Sequence, residues 1–285
     1  MKLVRYGEPG RERPGLWLTD RGAPEILDVR GTAFDIADYD AHFFTHWGIE
    51  RLRGLLLEKK QKRLPAAGVR LGPPVATPTN LICVGKNYAD HATEFDSKIP
   101  AEPVLFAKSP SALIGAEDPI LIPPTFSEVD AEAELAIVIG APSRNLSEAN
   151  ALEHIAGYTL INDVTERRAQ REAGQWFRGK SFDTFAPIGP HLVTPDEIPD
   201  PQNLRIRSRV NGTPLQDGNT RNMLFPLARI LAYISSTLTL QPGDIIATGT
   251  PSGVGFARTP PVLLRAGDTI EMEIESIGSL KNPVR

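Results

Sequence analysis

Ten residues, AEAELAIVIG at 131 to 140, constrain this chain more than any other stretch. A run rich in Ile, Val and Leu that ends in Gly has the composition of a buried strand, yet Glu132 and Glu134 stand at its start. Side chains two apart in a strand share a face, so the two carboxylates stand side by side. Like charges beside a core repel each other and resist desolvation. A shared proton, an Arg or Lys, or a metal ion must neutralise them.

A second apolar strand, YTLINDV at 158 to 164, ends in Asn162-Asp163 before a polar helix expected to begin with Thr165. A Glu-x-Glu pair joined by an Asp from a neighbouring strand offers three hard oxygen donors, a set suited to Mg²⁺, Mn²⁺ or Ca²⁺ rather than zinc. The competing reading puts Glu132 and Glu134 on the outer face of an edge strand and makes Asp163 a helix N-cap.

Three further stretches admit two readings each. In RGKSFDTFAPIGP, 178 to 190, Lys180 is either a surface charge on an apolar stem or an ammonium aimed into a carboxylate-lined pocket. In VGKNYADHATEF, 84 to 95, His91 and Glu94 lie three apart on an expected helix; the pair is either a surface contact or an oriented general base. DIIATGTPSGVGF, 244 to 256, runs from a strand into a loop whose backbone N–H groups can hold a carboxylate, or serves as ordinary turn chemistry. It lacks the Gly-Lys-Ser/Thr of a phosphate loop.

The rest of the chain sets the frame. With 285 residues, 41% of them hydrophobic, and a net charge of -4, it can bury a large core and offers no basic footprint for nucleic acid. The single cysteine, Cys83, excludes an intrachain disulfide and reads as a small buried hydrophobe. No stretch resembles a signal peptide or a membrane span, so a cytoplasmic location with no membrane partner is expected. A small amino-terminal α/β unit over 1–72 is expected, with strands at MKLVRYG and GLWLT and a helical pattern ending near Lys59. The Pro-rich stretch LPAAGVRLGPPVATPTN then reads as an irregular connection to a body over 75–285. That body is β-rich, with strands including HLVT and TIEMEIESIG and helices expected near 86–95, 147–155, 164–173 and 224–236.

Taken in order, GKNYADHATE, VDAEAELAIVIG, GYTLINDVTERRAQ, RGKSFDTFAPIGP and LQPGDIIATGTPSGVGF resemble the fumarylacetoacetate hydrolase family over roughly 75–285. The resemblance implies a mixed α/β, β-rich fold, a β-roll with flanking helices, together with bound Mg²⁺ or Mn²⁺ and a homodimer. By the same resemblance Glu132, Glu134 and Asp163 are the metal ligands, Lys180 the cation facing the substrate's oxygens, and Arg167, Gln170, Gly249 and Thr250 substrate contacts. Arg167 and Gln170 fall four and seven residues after Asp163, on one helical face. His91 and Glu94 match a base pair that the family carries on a lid helix. The chain departs from the pattern at Ala131, where an aromatic is usual, and at Arg168, where an acid is usual. Lys86 adds a cation that many members lack; it favours a dianionic or sugar-acid substrate, or is a solvated surface lysine.

The expected substrate is a small 2-oxo acid. Hydrolysis of a carbon–carbon bond in a 2,4-dioxo acid is the first expectation. Decarboxylation of an oxo-diacid, isomerisation of a 5-carboxymethyl-2-hydroxymuconate or hydroxyheptadienedioate type, and a non-catalytic metal- or metabolite-binding role are the alternatives.

Overall fold

The computed structural model describes residues 1–94 and 98–285. Phe95, the last residue of the helix expected at 86–95, lies outside the described residues; the helix runs Ala89–Glu94. A 12-stranded sheet forms the spine of the described residues. Its main path runs from the amino-terminal strands Arg63–Pro65, Glu25–Asp28, Arg13–Leu18 and Lys2–Tyr6 into Ala186–Val193, Ile155–Asn162 and Ala133–Ile139. It continues through Ile245–Ala247, Leu81–Gly85 and Val104–Lys108. The amino-terminal unit therefore joins the body edge to edge, Lys2 and Leu3 pairing with Val193 and Leu192. Arg70 clamps the same junction, donating from Nε and Nη2 to Asp118 at 2.7 and 2.6 Å.

Strand Ala133–Ile139 is buried along its whole length because both sheet faces are covered. Leu135, Ile137 and Ile139 point into a core shared with a four-stranded antiparallel sheet, which contributes Ile206, Val210, Ile270, Met272 and Ile274 by period-two alternation. Helix Leu227–Thr237 adds Leu227, Ile230, Leu231 and Ile234, a stripe at helical spacing. Ala136 and Val138 point the other way, into a core shared with Leu3, Leu16, Phe43, Phe44 and Leu52 of the amino-terminal unit. A sheet covered on both sides yields a continuous apolar run instead of alternation.

Several elements differ from expectation. The helix expected at 147–155 is a 3₁₀ turn, Ala151–His154, because Asn150 Oδ1 accepts from both Ser147 N and Oγ at 3.0 Å and so holds a local turn. The helix expected from 164 begins at Arg167, since Thr165–Glu166 pairs as a short strand with Val129–Asp130. The helix expected at 224–236 begins at Leu227, after Pro226. The stretch from 64 to 80 contains a two-residue strand, Leu71–Gly72, paired with Tyr6 and Arg5. TIEMEIESIG is a strand, Thr269–Ile274, that turns at Ser276 with φ 65° into a second strand, Gly278–Pro283. HLVT extends into Ala186–Val193 despite Pro187 and Pro190. Among the described residues no helix is long and apolar enough to cross a membrane.

His191 pins the carboxyl-terminal hairpin to this sheet. Its Nδ1 lies 2.9 Å from the Ile277 carbonyl, its ring is 5.1 Å from that of Trp17, and its Nε2 is buried without a hydrogen-bond partner. Burial lowers its pKa from 6.5 to about 4. The unfolded chain takes up this proton below pH 6.5, whereas the native state resists until near pH 4, so stability falls as pH drops through that window. Between pH 7 and 5 the wild type should lose about 2 kcal/mol more than His191→Phe, which keeps the ring but not the titration. Urea unfolding at both pH values tests this; equal slopes for the two proteins would remove His191 from the acid response.

Candidate active site

Strand register builds the site. Ala133 pairs with Asn162 and Glu134 with Ile161, so the next position along sets Glu132 opposite Asp163, and the Asp163 N–H donates to the Glu132 carbonyl at 2.9 Å. Residues facing each other in an antiparallel pair have Cβ atoms ~5 Å apart. Glu132, Glu134 and Asp163 share a sheet face, and one carboxylate oxygen from each lies within 4.8 Å of the others. All three are buried. Asp163 is not a helix cap: Glu166 caps Arg167–Glu172, accepting from Ala169 N at 2.5 Å.

Three cations meet these acids. Lys180 Nζ donates to Glu132 Oε2 at 2.9 Å, Asp163 Oδ2 at 2.5 Å and Thr165 Oγ1 at 2.8 Å. Helix Phe177–Lys180 delivers it by lying against Arg167–Glu172, where a Cβ on Gly179 would sit 2.6 Å from Gln170 N. Lys108, at the end of Val104–Lys108, donates to Asp163 Oδ1 at 2.6 Å and to the Val164 carbonyl at 3.1 Å. Arg167 Nη2 reaches both Glu132 Oε1 and Asp130 Oδ2 at 2.6 Å, and its Nη1 donates to Gln170 Oε1 at 3.2 Å.

The electrostatics follow from this partition. Burial pushes the Glu132 carboxyl up, but Arg167 and Lys180 outweigh it and hold the group well below the usual carboxylate range. Glu134 goes the other way: burial, then the Asp163 and Glu132 charges, raise it well above its ordinary value. Among the described residues it has no cationic side-chain partner, only the Gly249 N–H, which donates to its Oε2 at 2.8 Å. Burial works against the charge of Lys180, yet Asp163 and Glu132 raise its pKa. For Lys108 burial wins and the pKa is lowered. Four carboxylates thus face three fixed cations, and the deficit falls at Glu134. Carboxylate oxygens have spare lone pairs beside the bonds they accept, so the donor set fits one hard divalent cation.

A cavity of about 290 Å³ opens over this floor. His91, Glu132, Glu134, Gln170 and Thr250 reach its wall, which Phe106 and Trp176 make largely apolar. His91 Nδ1 lies 3.2 Å from Glu94 Oε2, and Gly253 N donates to the other Glu94 oxygen at 2.6 Å, tying the helix to the loop after Ile245–Ala247. Gly249, at φ +97°, packs so close that a Cβ would meet that of Asn87 at 2.7 Å. Its N–H serves Glu134. Thr250 Oγ1 donates to the Ala133 carbonyl and accepts from Gln216 Nε2 at 2.7 Å. Of the ten residues singled out from the sequence, His91, Glu132, Glu134, Arg167, Gln170, Lys180 and Thr250 line the cavity, whereas Glu94, Asp163 and Gly249 stand behind it, bonded to His91, Lys180 and Glu134.

Asp130 and Lys108 escaped that reading. Asp130 extends the Glu-x-Glu period by one step and was legible as such; Lys108, at the end of an ordinary strand, carries no sequence signal.

Residues 80–285 match the fumarylacetoacetate (FAA) hydrolase C-terminal family. A putative hydrolase of Burkholderia multivorans is 46% identical over 98% of this chain and 96% of its own length. A mitochondrial oxaloacetate tautomerase of Xenopus laevis is also 46% identical, over 100% of this chain and 90% of its own. The solved fumarylacetoacetate hydrolase of Exiguobacterium antarcticum superposes with a TM-score of 0.85 at 42% identity, covering 100% and 99% of the two chains.

The charge partition separates two kinds of substitution. Glu134→Gln removes the carboxylate without a fixed cation, so the metal-free fold should keep its stability while Mn²⁺ affinity falls by about tenfold or more. Asp163→Asn takes from buried Lys108 the only carboxylate it meets among the described residues, and from Lys180 one of two, and should cost about 3 kcal/mol or more. Calorimetric Mn²⁺ titration and chemical denaturation in chelator read both; wild-type affinity in Glu134→Gln would take it out of the cation site.

Proposed function

This chain belongs to the fumarylacetoacetate hydrolase family, and we propose that it is a divalent-metal-dependent hydrolase cleaving a carbon–carbon bond in a 2,4-dioxo acid, an acylpyruvate or diketo-deoxy sugar acid, to a pyruvate-type product. The observation behind this is that one cavity joins the carboxylate cluster to the His91–Glu94 pair. Mg²⁺ or Mn²⁺ held by Glu132, Glu134 and Asp163 supplies a Lewis acid and an electron sink.

The side chains account for the remaining steps. Glu94 orients His91 through Nδ1, so Nε2 takes a proton from the water that attacks the distal carbonyl. When the carbon–carbon bond breaks, its electron pair leaves with the pyruvate fragment, and the imidazolium returns the proton to that carbon. Lys180 and Arg167 keep Glu132 ionised and oriented, and the Lys180 ammonium offsets negative charge developing on the substrate oxygens. The Gln170 side-chain amide offers a hydrogen bond to the acid, while Phe106 and Trp176 limit water.

A second reading is favoured by the identity to the Xenopus laevis tautomerase: a keto–enol proton shift in an oxo-diacid. It requires the His91 base but no attacking water.

Pyruvate release from a simple acylpyruvate with Mn²⁺, against a chelator-treated control, tests the first reading; decay of enol absorbance in oxaloacetate tests the second. His91→Ala should slow whichever reaction occurs by about 10²- to 10⁴-fold while Mn²⁺ affinity is retained. Undiminished turnover would strip His91 of its role. Metal binding with neither reaction would leave the non-catalytic role standing.

A further inference from the structure

The charged groups around the cavity are nearly all committed to partners. Lys180 and Arg167 are held by Glu132, Asp163 and Asp130, and Arg171 Nη2 lies 2.7 Å from Glu128. Lys86 differs. It lines the same cavity, is half-buried, and among the described residues has no acidic partner within 4.0 Å. Phe106 and Trp176 share that lining, so an anion that meets the Lys86 side chain inside the cavity is held more strongly than one at an open surface.

Its mounting is rigid. Lys86 links strand Leu81–Gly85 to helix Ala89–Glu94 with φ 56°, a left-handed conformation that L side chains adopt at a cost. The next residue fixes it there. Asn87 is fully buried; its Nδ2 donates to the Thr248 carbonyl at 2.8 Å and the Phe225 carbonyl at 3.2 Å, and its Oδ1 accepts from Phe225 N at 2.8 Å. A solvated lysine needs no such support, whereas a recognition group gains from being preorganised.

We propose that Lys86 is a specificity residue for a second carboxylate, so that the substrate is a 2-oxo dicarboxylate whose distal end pairs with the Lys86 ammonium. This rests on the reading that the 2-oxo acid end lies over Glu132, Glu134 and Asp163. The cavity of about 290 Å³ holds the volume of roughly ten waters, room for a diacid of roughly four to six carbons. Hydrolysis and tautomerisation are both compatible with such a substrate.

The test is calorimetric titration of the Mn²⁺-saturated protein with 2-oxopentanoate, 2-oxopentanedioate and 2-oxohexanedioate, reading the ratio of diacid to monoacid affinity. The wild type should favour at least one diacid by about tenfold or more. Lys86→Met should reduce that ratio to about one, Lys86→Arg should retain most of it, and Lys86→Gly, which suits a positive φ, should lose it without backbone strain. A preference that survives in both Lys86→Met and Lys86→Gly, or a wild type with none despite binding the monoacid, overturns the assignment of Lys86 alone. If the wild type binds none of the three acids, the 2-oxo acid reading fails and this inference with it.

Discussion

Two carboxylates facing each other across antiparallel strands are destabilising, and the sheet register places Glu132 and Asp163 in that relation with Glu134 on the diagonal. Much of the surrounding architecture answers that repulsion. Lys180 arrives on a short helix packed through Gly179, Lys108 on the last residue of a strand, and Arg167 on the first turn of a helix capped by Glu166. Each cation comes from a different element, so the carboxylate cluster is also where those elements are cross-linked. Burying such charges is tolerable only when the bonding is this complete, and removing one partner leaves its counterpart without compensation.

What the sequence revealed follows the range of the interactions involved. Alternation in AEAELAIVIG placed two carboxylates on one face from local geometry alone, and helical spacing brought His91 to Glu94. The motif order supplied Lys180, Arg167, Gln170 and Thr250, whereas the aromatic wall of Phe106 and Trp176 lay outside every motif. Lys108 could not be read, because its role depends on pairing between Leu81–Gly85 and Val104–Lys108 and on a contact 55 residues away. The 3₁₀ turn at Ala151–His154 was hidden for a different reason: a Ser–Asn side-chain bond there outcompetes helix propensity.

The amino-terminal unit shows how a segment away from the chemistry supports it. Its apolar residues cover the same face of Ala133–Ile139 from which Glu132 and Glu134 project, through Ala136 and Val138. Without that cover the strand would have a wet face, and its floor carboxylates would sit in high dielectric, where Lys180 and Arg167 hold them only weakly. The edge pairing of Lys2–Tyr6 with Ala186–Val193 is thus part of what keeps that strand buried beneath the carboxylates.

One loop, 249 to 256, touches both halves of the site. Its first amide holds Glu134, and four residues on another amide holds Glu94, while Ser252 Oγ donates to Asp90 at 2.8 Å. The acidic floor and the helix bearing the base therefore share a mechanical link. Any ligand that draws the helix closer through this loop alters how Glu134 is presented, and thermodynamic reciprocity then requires the cation to alter that ligand's affinity by the same factor. Occupancy at the floor and docking of the helix become two readings of one equilibrium.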